Sequence, residues 1–164
     1  MDYRLVPARP EHLDQLEAIE RACFPDPWSR QLLSGLLALE NARTIAAVDG
    51  SGTVLGYASL QTVLDEGYLN NLAVLPAHRR RGIASALLGE LRRYGEERGL
   101  AFLTLEVRAS NAPAIALYAK HGYVQAGRRK NYYTHPREDA ILMTLEFVRH
   151  ETGNPDPGRA EESL

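Results

Sequence analysis

Three adjacent arginines, Arg79, Arg80 and Arg81, stand directly before Gly82, where an amphipathic helical pattern begins with Ile83, Leu87, Leu88, Leu91 and Tyr94. A helix that starts just after a turn leaves its first N–H groups unpaired beside the positive end of its macrodipole. With three cations beside it, such a turn is suited to a phosphate-bearing ligand. Gly82 lets the backbone approach that ligand with no side chain between them. Read alone, the same turn also describes a solvated basic loop or a nucleic-acid patch.

A second candidate centre lies downstream. Leu103, Leu105 and Val107 alternate with Phe102, Thr104 and Glu106, which places Glu106 in a strand expected to be largely buried. A buried carboxylate needs a partner. Arg108, two residues on and so on the same face, is one reading; a general base is the other. Ser110 or Asn111 caps the next helix, and Pro113 fits its first turn. Asn111 and Tyr118 share a face of that helix. Tyr118 is either a core aromatic or a side chain that faces a ligand together with Asn111. Phe24, Trp28, Tyr132 and Tyr133 could line a groove with Glu66, Glu138 and Asp139 at its rim, or could divide between core packing and loop chemistry. Cys23 reads as a small core residue. The five histidines, 12, 78, 121, 135 and 150, have no metal-ligand spacing, so no metal is expected.

These residues need a scaffold. Residues 3–7 read as a strand. Pro10 opens a helix bearing Leu13, Leu16, Ile19 and Cys23 on one side. Phe24–Trp28 breaks it, and Ser29 caps a helix ending near Leu39. Strands over 44–48 and 54–62 are joined by Asp49-Gly-Ser-Gly52, a hairpin signal. A strand over 68–75, a helix from Gly82 to about Arg98 and a strand over 101–107 form one crossover unit, whose two strands should be parallel. A helix over 111–120 and strands over 123–129 and 139–147 complete the order. The adjacent Asn70 and Asn71, poor strand formers, suit a bulge.

The chain has 164 residues, 45% of them hydrophobic, enough for one compact domain over residues 1–150. Its net charge is −2, yet the last fourteen residues carry Glu151, Asp156, Glu161 and Glu162 against Arg159. Residues 1–150 are therefore at +1, too weakly basic for a dedicated nucleic-acid binder. Residues 151–164 are expected to be a disordered acidic tail. A single cysteine favours a reducing cytoplasm; Met1-Asp-Tyr-Arg lacks the basic and apolar regions of a signal peptide, so none is expected, and no run of about 18 apolar residues occurs.

Arg79-Arg-Arg-Gly82-Ile-Ala84 resembles the Arg/Gln-x-x-Gly-x-Gly/Ala signature of the GCN5-related N-acetyltransferases (GNAT), which grip the pyrophosphate of acetyl-coenzyme A. Leu105-Glu-Val-Arg-Ala-Ser-Asn-Ala-Pro-Ala-Ile-Ala-Leu-Tyr118, Gly122-Tyr123, Arg129-Lys-Asn-Tyr-Tyr133 and Arg137-Glu-Asp-Ala140 with Met143 narrow the likeness. With Phe24-Pro-Asp-Pro-Trp-Ser29 and Val63-Leu-Asp-Glu66, they are similar to the bacterial ribosomal-protein alanine N-acetyltransferases, the RimI type. The likeness spans about residues 3–148.

The resemblance implies an α/β fold: a twisted mixed sheet of about seven strands, with about four helices on both faces and two splayed central parallel strands. It implies that Glu106 is the general base, directly or through a water, and Tyr118 the general acid. Leu72, Ala73 and Val74 would pair by backbone with the pantetheine arm. Arg80 to Ser85, with Ala84 in the final position of the signature, would cradle the pyrophosphate, and Asn111 would contact the cofactor. The implied activity is cytoplasmic, acetyl-CoA-dependent acetylation of a protein N-terminus: the N-terminal alanine of small-subunit ribosomal protein eighteen, or another basic N-terminal peptide. Alternatives are a broader N-terminal or lysine acetyltransferase and a non-catalytic acetyl-CoA sensor, against which Glu106 and Tyr118 argue. Neither nucleic acid nor membrane is an expected partner, and a monomer or weak dimer is the expected state.

Overall fold

The computed structural model describes residues 2–148, and the expected acidic tail lies outside them. In chain order the elements are β1 (Tyr3–Pro7), α1 (Leu13–Cys23), α2 (Arg30–Ala38), β2 (Ala42–Asp49), β3 (Val54–Val63) and β4 (Glu66–Val74). They continue with α3 (Ile83–Glu97), β5 (Phe102–Arg108), α4 (Ala112–Lys120), β6 (Val124–Thr134) and β7 (Arg137–Glu146). Single 3-10 turns at Pro10–His12 and Pro76–His78 precede α1 and the arginine turn. Pro10 thus opens a 3-10 turn rather than α1 itself. Ser29 caps α2, its hydroxyl accepting the Leu32 N–H at 3.2 Å. The Asp49 carboxylate closes the β2–β3 turn by accepting the N–H groups of Ser51 and Thr53 at 2.9 and 3.0 Å.

The strands form one sheet in the order β1-β2-β3-β4-β5-β7-β6. Every neighbouring pair is antiparallel except β4–β5, the parallel pair expected of the crossover through α3. Both faces are packed. On one, Ile83, Leu87, Leu88 and Leu91 of α3 join Leu60, Leu69, Leu103 and Leu105. On the other, Leu13, Leu16, Ile19 and Leu33 of α1 and α2 cover Ala46, Val48, Tyr57 and Ala73.

Two irregularities open this sheet for a ligand. β4 and β5 pair only over Glu66–Tyr68 with Phe102–Thr104, and diverge beyond. At the paired end they are close: a Cβ on Gly67 would lie 2.6 Å from Leu103 Cδ2. On its other side β4 carries the expected bulge. Ser59 faces Asn71 and Leu60 faces Leu69, so Asn70 is the extra residue. A one-residue slip exchanges faces. Leu69 therefore packs toward α3, whereas Asn71 and Ala73 turn toward α1.

The β6–β7 hairpin is longer than expected from the sequence and is interrupted as well. Arg129 faces Ala140 and Tyr133 faces Glu138, which leaves Lys130, Asn131 and Tyr132 opposite Asp139 alone. Asn131 takes the left-handed conformation at φ +52°, and its N–H donates to Asp139 at 2.9 Å. That bulge lifts Tyr132 over the end of β5.

Candidate active site

The arginine turn has the geometry of an anion cradle. Arg80 and Gly82 both have left-handed backbones, at φ +64° and +79°. Among the described residues, no carbonyl of the chain accepts the N–H groups of residues 80–85; the first such bond is Ala86 N–H to Gly82 O at 2.9 Å. Alternating conformations of this kind converge backbone N–H groups into an anion-binding concavity. A Cβ built on Gly82 meets no atom of the protein within 4 Å, so the space beside it is open. The three arginines do not act as one cluster. Arg79 turns back, its Nε donating to Val74 O at 3.0 Å, and Arg81 Nη1 contacts His78 Nδ1 at 2.9 Å. Ser85 Oγ is held 3.0 Å from His121 Nε2. Burial, then Lys120 and Arg92, hold the His121 imidazole below its ordinary pKa.

From the turn, the open edge of β4 leads into the splay. Leu75 N–H donates to Leu55 O on β3 at 2.9 Å. Strand alternation therefore turns the backbone groups of Ala73 to β3 and those of Leu72 and Val74 to the gap. The Val74 carbonyl is taken by Arg79 and lies 3.5 Å from Cys23 Sγ, while its N–H faces the same open side.

Beyond the edge lies a cleft of about 330 Å³. It is lined by Phe24 and Trp28 of the α1–α2 loop, Leu72 of β4, Glu106 of β5, Asn111 and Tyr118 of α4, and Tyr133 of β6. Glu106 and Tyr118, twelve residues apart on different elements, thus meet at one cavity, and Asn111 joins them while capping α4 through Ala114 N–H at 3.2 Å. Tyr118 is buried, its ring edge-on to Tyr123 at 5.7 Å. No group among the described residues hydrogen-bonds its hydroxyl. Burial, reinforced by Tyr123 and Tyr133, raises its pKa and keeps it protonated.

Glu106 is more exposed than expected, with 31% of its side chain accessible. The face it occupies lies past the cover of α1 and α2. Nor does it pair with Arg108. It accepts the Tyr132 hydroxyl at 3.0 Å and faces Arg129 Nε at 3.4 Å. Arg108 instead donates to the His135 and Pro136 carbonyls at 3.0 and 2.9 Å, meets Glu138 at 3.3 Å and stacks 4.3 Å from the centre of the Tyr133 ring. Burial, with Tyr132 and Glu106 beside it, pushes the Tyr133 hydroxyl up to about 12.

The expected rim carboxylates divide. Glu138 accepts Ser110 N–H at 2.7 Å, and Ser110 and then Arg108 hold its pKa low. Asp139 accepts from Asn131 N–H and from Arg128 Nε at 2.7 Å, which hold its pKa low too. Both therefore brace the hairpin rather than stand free. Glu66 accepts the Tyr68 hydroxyl, away from the cleft. Asp26, absent from the sequence expectations, meets His135 Nδ1 at 3.3 Å and so joins the α1–α2 loop to the tip of β6–β7.

The acetyltransferase (GNAT) family model matches residues 13–123, which is most of the chain. The chain belongs to the GNAT acetyltransferase family. It is 52% identical over 130 residues to the [ribosomal protein bS18]-alanine N-acetyltransferase of Escherichia coli K12, covering 77% of this chain and 86% of that one. A crystal structure of the ribosomal-protein-S18-alanine N-acetyltransferase from Escherichia coli superimposes with a TM-score of 0.85 at 36% identity, over 94% of this chain and 99% of the other. Arabidopsis thaliana NAA60 in complex with a bisubstrate analogue matches with a TM-score of 0.81 at 25% identity, over 88% and 97%.

GNAT acetyltransferases use acetyl-CoA, and the open N–H groups of residues 80–85 beside Gly82 fit its pyrophosphate. The most buried polar residue of this GNAT cleft escaped sequence reasoning. Glu20 is 1% exposed and accepts the Tyr57 hydroxyl at 2.5 Å and Trp28 N–H at 2.8 Å. Its signal is positional: it falls four residues after Leu16 on the buried face of α1, where an apolar residue belongs. Among the described residues, no helix is long and apolar enough to cross a membrane, and no group of three His, Cys, Asp or Glu side chains is placed to hold a metal ion.

Proposed function

We propose that the protein is an acetyl-CoA-dependent N-α-acetyltransferase acting on the N-terminal alanine of small-subunit ribosomal protein eighteen, and so in the cytoplasm. The observation that carries this reading is the convergence of Glu106 and Tyr118 on one cleft, beside the unpaired edge of β4 that leads to the arginine turn. The bS18-alanine N-acetyltransferase of Escherichia coli, alike over most of both chains, supports the substrate.

Acetyl-CoA supplies its acetyl group as a thioester. The N–H groups of residues 80–85 and the cation of Arg80 bind its pyrophosphate, and the gap-facing backbone of Leu72 aligns the pantetheine arm. Glu106 takes a proton from the α-amine, directly or through a water. An α-amine has a pKa near 7.7–8.0 against about 10.4 for lysine, so a carboxylate completes its deprotonation far more easily. The Val74 N–H offers a hydrogen bond to the carbonyl oxygen as charge gathers there. As the C–N bond forms and the C–S bond breaks, Tyr118, kept protonated by burial, gives its proton to the departing sulfur and regains one from the new amide nitrogen. Transfer is direct, so no protein nucleophile takes part. Phe24, Trp28 and Tyr133 narrow the entrance to suit a methyl side chain. Tyr132 holds Glu106 in place. Glu106 and the nearby Asp26 favour a basic peptide, which makes the rate salt-sensitive.

The test is a pair of basic peptides with acetyl-CoA, read by mass spectrometry. One begins with alanine; the other is the same peptide with a blocked N-terminus and one internal lysine. Acetylation of the first alone is expected. Equal acetylation would promote the lysine reading.

A further inference from the structure

Glu20 and Asn71 make a buried polar contact that the chemistry above leaves unused. Besides Tyr57 and Trp28, Glu20 faces Asn71 Nδ2 at 3.5 Å. Asn71 is only 5% exposed, and its Oδ1 is buried with no hydrogen-bond partner among the described residues. Such an orphaned acceptor is uncommon in a folded protein and asks for an explanation. Reversing the amide does not relieve it. That would set Oδ1 against the Glu20 carboxylate, which has only acceptors, and leave Nδ2 without one. Glu20 therefore fixes which end of the amide is free. Asn71 lines the same cleft as Glu106 and Tyr118, and it is the bulge at Asn70 that turns it to this face.

We propose that Asn71 Oδ1 binds substrate by accepting a hydrogen bond from the incoming α-amine, and that Glu20 is the positioning residue that holds the carboxamide in that orientation. The inference rests on the N-terminal acetyltransferase reading. A neutral α-amine brings two N–H donors, and Glu106 already receives Tyr132 on one carboxylate oxygen and Arg129 on the other. A second acceptor beside it satisfies the amine and directs its lone pair. Glu20 reaches the same end by a second route, since its bond to Trp28 N–H fixes the loop that forms the opposite wall.

Glu20→Gln keeps shape and volume but replaces one acceptor by a donor. Asn71 then rotates to accept from the introduced amide, and its Nδ2 takes the place of the buried Oδ1. Steady-state kinetics with an alanine-initiated peptide, acetyl-CoA calorimetry and thermal melting test this in Glu20→Gln, Asn71→Ala and Tyr57→Phe. The first two should raise the peptide KM about three- to tenfold, as loss of one neutral hydrogen bond implies, with acetyl-CoA affinity and melting temperature kept. Tyr57→Phe removes a donor to Glu20 but leaves Asn71 oriented, so its KM should stay at the wild-type value. Should Asn71→Ala fail to fold, the isosteric Glu20→Gln carries the test. An unchanged peptide KM in Glu20→Gln overturns the proposal, as does a loss confined to kcat or shared by Tyr57→Phe. A wild-type enzyme that binds acetyl-CoA yet leaves the alanine peptide unmodified overturns the functional reading itself.

Discussion

The arginine turn and the cleft lie at two ends of the same open strand edge, and they are built in opposite ways. The turn presents backbone to its ligand: left-handed Arg80 and Gly82 expose the free N–H groups of residues 80–85, while the side chains of Arg79, Arg81 and Ser85 anchor it from behind. The cleft is made of side chains that hold one another. Glu106 is bound by Tyr132 and Arg129, Arg108 by Glu138 and two carbonyls, and Glu20 by Trp28, Tyr57 and Asn71. A backbone cradle is indifferent to protonation and serves a ligand of fixed charge. A side-chain network can accept and give protons, which acetyl transfer to an amine requires. Substitutions in the turn should therefore change acetyl-CoA binding, and those of Glu106 and Tyr118 in the cleft should change rate.

The largest effect should come from the cleft. Tyr118→Phe removes the proposed proton donor, and kcat should fall about 10²- to 10⁴-fold while acetyl-CoA affinity holds. Because burial raises the Tyr118 pKa above its ordinary value near 10, the hydroxyl keeps its proton throughout the assay range. The deficit should therefore stay constant from about pH 6.5 to 9.5. A deficit that varies with pH would remove Tyr118 from the acid role.

Gly82→Glu tests the other half of the comparison. It forces a side chain into a left-handed position and sets a carboxylate where phosphate is expected. Acetyl-CoA affinity measured by calorimetry should drop at least about tenfold in a folded protein. Unchanged affinity would mean that the turn does not hold the pyrophosphate.

Tyr132→Phe is milder. It removes one bond to Glu106 and leaves Arg129, so kcat/KM for the peptide should fall about threefold. A much larger loss would show that Tyr132 does more than hold the base.

The smallest effect is expected at His121, which contacts Ser85 at the turn. With its folded pKa below the ordinary 6.5, the unfolded chain takes up the proton first as pH falls. The stability that neutral His121 contributes is present above about pH 6.5 and declines as pH falls toward the folded pKa. Melting temperatures between about pH 7.5 and 5 should fall less steeply in His121→Asn than in the wild type.

The contrast between regions also explains what could be read from the chain. The turn is contiguous, so Arg79 to Ser85 announce it within seven residues. The Asn70–Asn71 bulge was legible because both residues are poor strand formers, and the element order gave away the parallel pair. The cleft is not contiguous. Glu20 meets partners 37 and 51 residues away, a distance no local pattern encodes. Strand alternation placed Glu106 and Arg108 on one face, but it could not show that each has a better partner across the hairpin. Nor could it show that the splay leaves Glu106 uncovered. Glu138 and Asp139 looked free at the rim because the bulge that consumes Asp139, three residues opposite one, has no sequence signature as plain as a glycine.

The central claim, proton removal from an α-amine by Glu106, is tested most directly by the pH–rate profile of Glu106→Gln with the alanine-initiated peptide. At pH 7 the amine is still mostly protonated, and kcat/KM should fall about 10²- to 10⁴-fold. As pH rises past the amine pKa near 8, free amine accumulates and the gap to wild type should narrow, unlike the constant deficit of Tyr118→Phe. Wild-type activity at pH 7, or a deficit that does not change with pH, would contradict the account.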